Sequence, residues 1–188
     1  AGQVNPFDFS ILAGLGQVML IGLLFLKLNG YVQGIVGVAI IIIMQFLPGV
    51  LLDADLGIFS QIRLLLLPGS VGRVFVLYPP NPWLGVALLG MAFARLLQQS
   101  KEKAYRLAGI AGLVCLTLFP LVRILGGFGN LRMPVDQSVI DFFNVVKYPP
   151  SLSFLLFSLG FDLSVLYLFS RVPTKLATWT RPLAVFGQ

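Results

Sequence analysis

From Tyr31 to Leu52 the chain runs without a charged side chain. As a helix such a run is about 30 Å long, the thickness of a bilayer's hydrocarbon core. In that solvent every backbone N–H and C=O must be paired internally, which only a helix or a closed barrel achieves. The apolar residues are continuous rather than alternating, which excludes barrel strands. The same character recurs along the chain, which is 57% hydrophobic and 11% charged, where a soluble domain carries about a quarter charged residues. A soluble α/β protein with buried strands is excluded on that ground. The expected fold is all-α, a polytopic transmembrane helical bundle.

Five spanning segments are predicted, over Phe9–Lys27, Tyr31–Leu52, Pro82–Leu97, Tyr105–Leu125 and Pro150–Phe169, with Asn29-Gly30 as the first turn. Within the connection Asp53–Asn81, the apolar piece Leu56–Leu67 is too short to span and reads as interfacial or re-entrant. Between Gly126 and Lys147 a short amphipathic helix is predicted at Val135–Val145. Its apolar stripe is Val139, Phe142, Phe143 and Val146, with Asp136 and Asp141 off it. The chain opens on Ala1-Gly2-Gln3 without a basic leader and closes on what reads as the first turn of another apolar helix. It is therefore expected to be one transmembrane domain, 1–188, internal to a larger polytopic protein.

The formal net charge is +6, but the basic residues are scattered over loops, so no nucleic-acid partner is expected and the bilayer is the implied one. One side would carry Lys27, Arg95, Lys101, Lys103, Arg106, Arg171, Lys175 and Arg181. The other would carry Arg63, Arg73, Arg123, Arg132 and Lys147. The excess marks the first side as cytoplasmic. Both copies of the tripeptide Tyr-Pro-Pro, at 78–80 and 148–150, then face outward.

No histidine is present, and the one cysteine, Cys115, lies in an apolar segment. A Ser-His-Asp triad, His-ligated metal and Cys-based zinc are excluded from this stretch, and catalytic residues stay unassigned. The Tyr-Pro-Pro copies stand at helix mouths, where proline's missing N–H costs nothing. Lys147, Tyr148 and Ser151, with Asn144 one turn earlier, surround the second mouth; Tyr78, Asn81 and Trp83 surround the first. A helix N-terminus beside a lysine suits an anionic or hydroxyl-bearing ligand. The same residues also serve as an N-cap with interfacial anchors. Asp162, inside the last segment, is placed about 16–18 Å deep, level with Arg95. An ion pair between them, a proton or substrate role, and simple access to water are all compatible with that depth.

At these motifs the sequence resembles a known family. Val76-Leu77-Tyr78-Pro79-Pro80-Asn81-Pro82-Trp83-Leu84-Gly85-Val86, continuing to Arg95, is similar to the Tyr-Pro…Pro-Trp-x-Gly-Val…Gly-Tyr…Gly-Arg pattern of a bacterial membrane-protein family. That family is related to the heparan-α-glucosaminide N-acetyltransferase catalytic domain. Phe142-Phe143-Asn144-Val145-Val146-Lys147-Tyr148-Pro149-Pro150-Ser151-Leu152 resembles its Lys-Tyr-Pro-Pro-Ser-Leu motif, and Arg181–Gly187 its Pro-Leu-x-Val-Phe-Gly. Residues 1–75 match loosely. Asn81, Pro80 and Asp162 depart from the family pattern, and the family's early Asp-His motif has no counterpart here.

The resemblance implies an inner-membrane acyltransferase moving an acyl (acetyl) group from cytoplasmic acyl-CoA to a sugar amine or hydroxyl outside. The catalytic residues would then lie upstream, and a homodimer is compatible with the reading. Asn144, Lys147, Tyr148, Ser151, Tyr78, Asn81 and Trp83 would line the acceptor mouth. Arg95, Lys101, Lys103 and Arg106 would meet CoA phosphates. The rival readings are a transporter or flippase, with helices broken near Pro48-Gly49 and Pro120, and a structural subunit without catalysis.

Overall fold

The computed structural model describes residues 7–9, 11–51, 63–64, 66–71, 73–136 and 138–172. They form helices α1 (Ile11–Gly22), α2 (Gly30–Leu51), α3 (Pro80–Gln99), α4 (Lys101–Leu125), α5 (Val139–Phe143) and α6 (Leu152–Ser170). Three are long and apolar enough to cross a bilayer, namely α2, α4 and α6. Helix α3, at 20 residues, has the length of a span, with its polar residues, Asn81, Arg95, Gln98 and Gln99, toward its two ends.

The expected first span is shorter than its apolar run. Phe7–Phe9 forms a strand, β1, and α1 is 12 residues followed by a 3-10 turn at Leu23–Phe25. The backbone at Phe9 is engaged in a sheet, so the helix starts after it. That sheet also corrects the all-α expectation. Strand β3 (Val74–Val76) pairs parallel with β1, Phe7 opposite Val74, and antiparallel with β2 (Gly69–Val71), Val71 opposite Val74. Its order is β1-β3-β2. Valines suit a strand, and only two residues link β2 to β3. Most of the expected interfacial piece Leu56–Leu67 lies outside the described residues; of its end, Leu64 and Leu67 are buried.

The helices pack as two pairs, α2 on α3 and α4 on α6, with α1 covering α3. Each pair closes on glycine, because without a lipid-driven hydrophobic force helices associate by close van der Waals approach. A Cβ on Gly85 would sit 2.8 Å from the Gly37 carbonyl oxygen and 2.8 Å from Ile41 Cγ1. On the other pair the Tyr167 ring lies over Gly109, while Gly112 faces Ser164 and Gly160 meets Cys115 and Leu116. Val18, Leu84 and Leu88 form the core between α1 and α3. Ile35, Ile43 and Phe46 of α2 and Ile110, Leu113 and Leu121 of α4 stay exposed, as lipid-facing positions do. Neither Pro48 nor Pro120 interrupts its helix.

Gly85→Ala is therefore expected to destabilise the protein by about 1–3 kcal/mol, since the obstructing atom is backbone. Gly90, on the same helix with nothing within 4 Å, should tolerate alanine or gain up to about 1 kcal/mol from helix propensity. Thermal unfolding in detergent compares the two. Equal effects would mean the α2–α3 seam is looser than described.

Candidate functional site

Arg123, in the last turn of α4, organises the approach to the second Tyr-Pro-Pro. Its side chain is 2% exposed. Nε donates to the Phe142 carbonyl (2.8 Å), Nη1 to the Arg132 carbonyl and Asn130 Oδ1, and Nη2 to the carbonyls of Asp141 (2.8 Å) and Asn144 (3.1 Å). Asn130 in turn donates to the Val122 carbonyl at 2.7 Å. The chain leaves α4 through Gly126, Gly127 and Gly129, all at positive φ, conformations in which glycine carries no Cβ penalty. It then wraps around the guanidinium.

Helix α5 is shorter than the predicted Val135–Val145 segment and differently faced. Val139 is 73% exposed, while Asp141, placed off the apolar stripe, is 7% exposed. The reason is hydrogen bonding: the Asp141 carboxylate accepts from the Val135 and Asp136 amides and pairs with Arg132 at 3.4 Å. Phe142 and Phe143 do pack as expected, against Phe119 of α4, and Phe143 also meets Phe157 of α6. Ser138, as N-cap, accepts from the Asp141 amide.

At the mouth of α6 the donors are already used. The Leu152 amide donates to Gln45 Oε1 (2.8 Å), Ser153 to the Gly129 carbonyl (3.0 Å), Phe154 to Ser151 Oγ (3.1 Å) and Leu155 to the Ser151 carbonyl (3.0 Å). The helix N-terminus therefore offers no free N–H to an anion, contrary to the sequence expectation. Ser151 is 1% exposed, an N-cap whose hydroxyl also reaches the Val146 carbonyl. Gln45, on α2, was not singled out in the sequence; an amide inside an apolar helix was its signal.

The two Tyr-Pro-Pro copies come together. Tyr78 is buried and lies on α1 where Gly14 leaves room, since a Cβ there would be 2.3 Å from the ring. Its ring stacks on Trp83 (centroids 4.8 Å, 8°) and meets Tyr148 at 5.6 Å. Phe154 stands edge-on to Trp83 at 6.4 Å, and Lys147 Nζ lies 5.2 Å over the Tyr148 ring. These groups border a cavity of about 370 Å³ between α3 and α6, whose lining adds Ile11, Val86, Leu155, Ser158, Leu159 and Asp162. Burial, and next the neighbouring Tyr148, pushes the Tyr78 phenol up to about 12, so its hydroxyl keeps its proton well above neutral pH. The Trp83 indole N–H is buried without an acceptor among the described residues, an arrangement that costs about 1–3 kcal/mol.

Of the residues expected at the acceptor mouth, Tyr78, Trp83, Lys147 and Tyr148 line this cavity and Ser151, Asn144 and Asn81 do not. Asn144 contributes its carbonyl to Arg123; Asn81 is half-buried in the first turn of α3. Of the four basic candidates, Arg95 lies roughly 22 Å along α3 from its start, and Lys101, Lys103 and Arg106 lie in the first two turns of α4 just beyond it. There Lys101, Lys103 and Arg106 are exposed, and Arg95 donates to the Leu26 carbonyl. Arg95 forms no ion pair with Asp162 among the described residues. Asp162 instead lines the cavity that begins at Tyr78 and Lys147.

A family model described as heparan-alpha-glucosaminide N-acetyltransferase, catalytic, matches residues 7–126, well over half of the chain. The match takes in the first Tyr-Pro-Pro and reaches back through residues that resembled the family loosely, and it ends before the second. No curated protein and no solved structure matches.

The site also has a pH dependence. Backbone donation from Val135 and then Asp136 holds the Asp141 carboxyl below its ordinary value, aided by Arg132 and Arg123 and opposed by burial. A depressed carboxyl contributes stability that is present above its unfolded pKa, about 3.9, and is lost as pH falls through the folded one. The stability gap between the wild type and Asp141→Asn is therefore expected to shrink as pH drops from about 5 toward 3. Thermal unfolding across that range checks it; a constant gap would contradict it.

Proposed function

The chain belongs to the heparan-α-glucosaminide N-acetyltransferase catalytic family, and from that premise we propose a membrane acyltransferase. It takes an acyl group from acyl-CoA on the cytoplasmic side and passes it to a sugar amine or hydroxyl on the outer side of a bacterial inner membrane. The observation that carries the acceptor assignment is the cavity between α3 and α6. Its mouth combines stacked aromatic rings with one ammonium group, Lys147. Aromatic faces take up the apolar faces of a sugar ring, and a few polar groups fix its orientation. Tyr78, kept protonated by burial, supplies a donor to an acceptor hydroxyl.

At the opposite end of α3, Lys101, Lys103 and Arg106 are exposed and carry the charge that a polyphosphate donor requires. Arg95 is already engaged with Leu26 and contributes less to that end than the sequence reading gave it. The acyl donor, when bound, supplies the activated thioester. This chain's residues orient the acceptor, hold its hydroxyls and exclude water from the aromatic wall. The distribution of basic residues supports the orientation in which the tyrosines face outward.

The test uses the full protein in proteoliposomes, with acetyl-CoA and glucosamine. Labelled acetyl transfer is expected; sugar uptake without CoA would point to transport instead. Lys147→Ala should raise the acceptor KM about tenfold, equivalent to about 1.4 kcal/mol, with the donor KM unchanged. An unchanged acceptor KM would remove Lys147 from the site.

A further inference from the structure

We propose that Asp162, an exposed carboxylate on the lining of the α3–α6 cavity, is the proton acceptor for the transfer. The assignment rests on the acyltransferase reading above. Phe154, Ser158 and Asp162 follow at four-residue intervals on α6 and line the same cavity, so one face of the helix descends from the aromatic mouth to the carboxylate. Asp162 is eleven residues past the N-cap Ser151, about 16 Å below the mouth. It lies within the apolar span Leu152–Ser170, where a carboxylate is costly and is normally paired or functional. Among the described residues it has no ion-pair or hydrogen-bond partner. Arg95, its counterpart in the sequence reading, is held by Leu26.

The other polar groups of the cavity are poor proton acceptors. Lys147 is a cation lying over Tyr148. Tyr78 keeps its proton. Ser158 donates its hydroxyl to the Phe154 carbonyl at 2.8 Å. Asp162 is the carboxylate among the described lining residues. In the reaction the acceptor nitrogen or oxygen attacks the thioester carbonyl carbon. A carbon–nitrogen or carbon–oxygen bond forms and the carbon–sulfur bond breaks. Glucosamine in its ammonium form first gives one proton to Asp162, which frees the nitrogen lone pair for attack; the proton shed by the nitrogen as the new bond forms goes to the leaving thiolate, and Asp162 returns its own proton to water. Proton transfer by a placed group contributes about 10²–10⁴-fold to rate.

The experiment compares wild type, Asp162→Asn and Asp162→Glu as full protein in proteoliposomes with acetyl-CoA. The two acceptors are glucosamine and methoxyamine, an amine that is unprotonated at neutral pH. Asp162→Asn is expected to lose about 100-fold in kcat on glucosamine, with little change in KM. On methoxyamine it should stay within about threefold of wild type, and Asp162→Glu should recover part of the glucosamine rate. Separately, with no acyl donor present, a membrane-permeant carbodiimide should modify Asp162, and millimolar glucosamine should slow that modification. Equal losses on both acceptors would make Asp162 structural and overturn the assignment, as would unchanged rates or labelling that glucosamine does not slow. A wild type that acetylates neither acceptor would overturn the acyltransferase reading itself, and this assignment with it.

Discussion

The buried guanidinium of Arg123 is the interaction on which the Tyr-Pro-Pro end of the molecule depends. Taking an arginine out of water costs several kcal/mol unless its donors are met, and here oxygens from residues 130, 132, 141, 142 and 144 meet them. Its position in the last turn of α4 adds the attraction of a cation for the negative end of a helix. Together they turn a glycine-rich exit and a five-residue helix into a folded platform. From that platform the chain enters α6 at a defined place. Gln45 then ties the new helix to α2 by accepting from the Leu152 amide, joining the two glycine-sealed helix pairs at one end.

The consequence is a cavity. Two tripeptides 70 positions apart in the chain present their tyrosines to one another at 5.6 Å, with Gly14 making room for the first. Between the helices they open lies a cavity with an aromatic mouth and a carboxylate below. Helices α3 and α6 do not pack tightly on each other, because α3 is engaged by α2 and α6 by α4. The cavity is thus a product of the pairing pattern: its two helical walls belong to different glycine-sealed pairs.

Long apolar runs announced membrane helices, and α2, α4 and α6 follow them closely because apolar length is what a bilayer selects. The strand at Phe7–Phe9 was hidden because a three-residue strand pairing with a distant one leaves no periodicity. Helix α5 was read by its stripe, and the stripe failed at Asp141, since backbone donors and Arg132 bury a carboxylate that hydropathy would expose. Arg123 looked like a loop charge; its place at a helix end gave no hint of five acceptors scattered over the following loop. Among the residues bordering the cavity, tyrosine, tryptophan and lysine at the two mouths stood out in the sequence as a set. Ser151 and Asn144 were not separable from them in sequence, because capping and ligand binding favour the same residue types. The glycine seams escaped notice in a chain with 20 glycines.

The central claim is that Arg123 holds the second entrance against the first. It is tested most directly by Tyr78→Cys with Tyr148→Cys, in a Cys115→Ser background, linked by a short bifunctional thiol reagent in detergent micelles. High cross-linking yield is predicted with Arg123 in place, and a large drop when Arg123→Met is added while the helices stay folded by circular dichroism. The same yield in both proteins would contradict the account, since the entrances would then meet without the guanidinium that is said to bring them together.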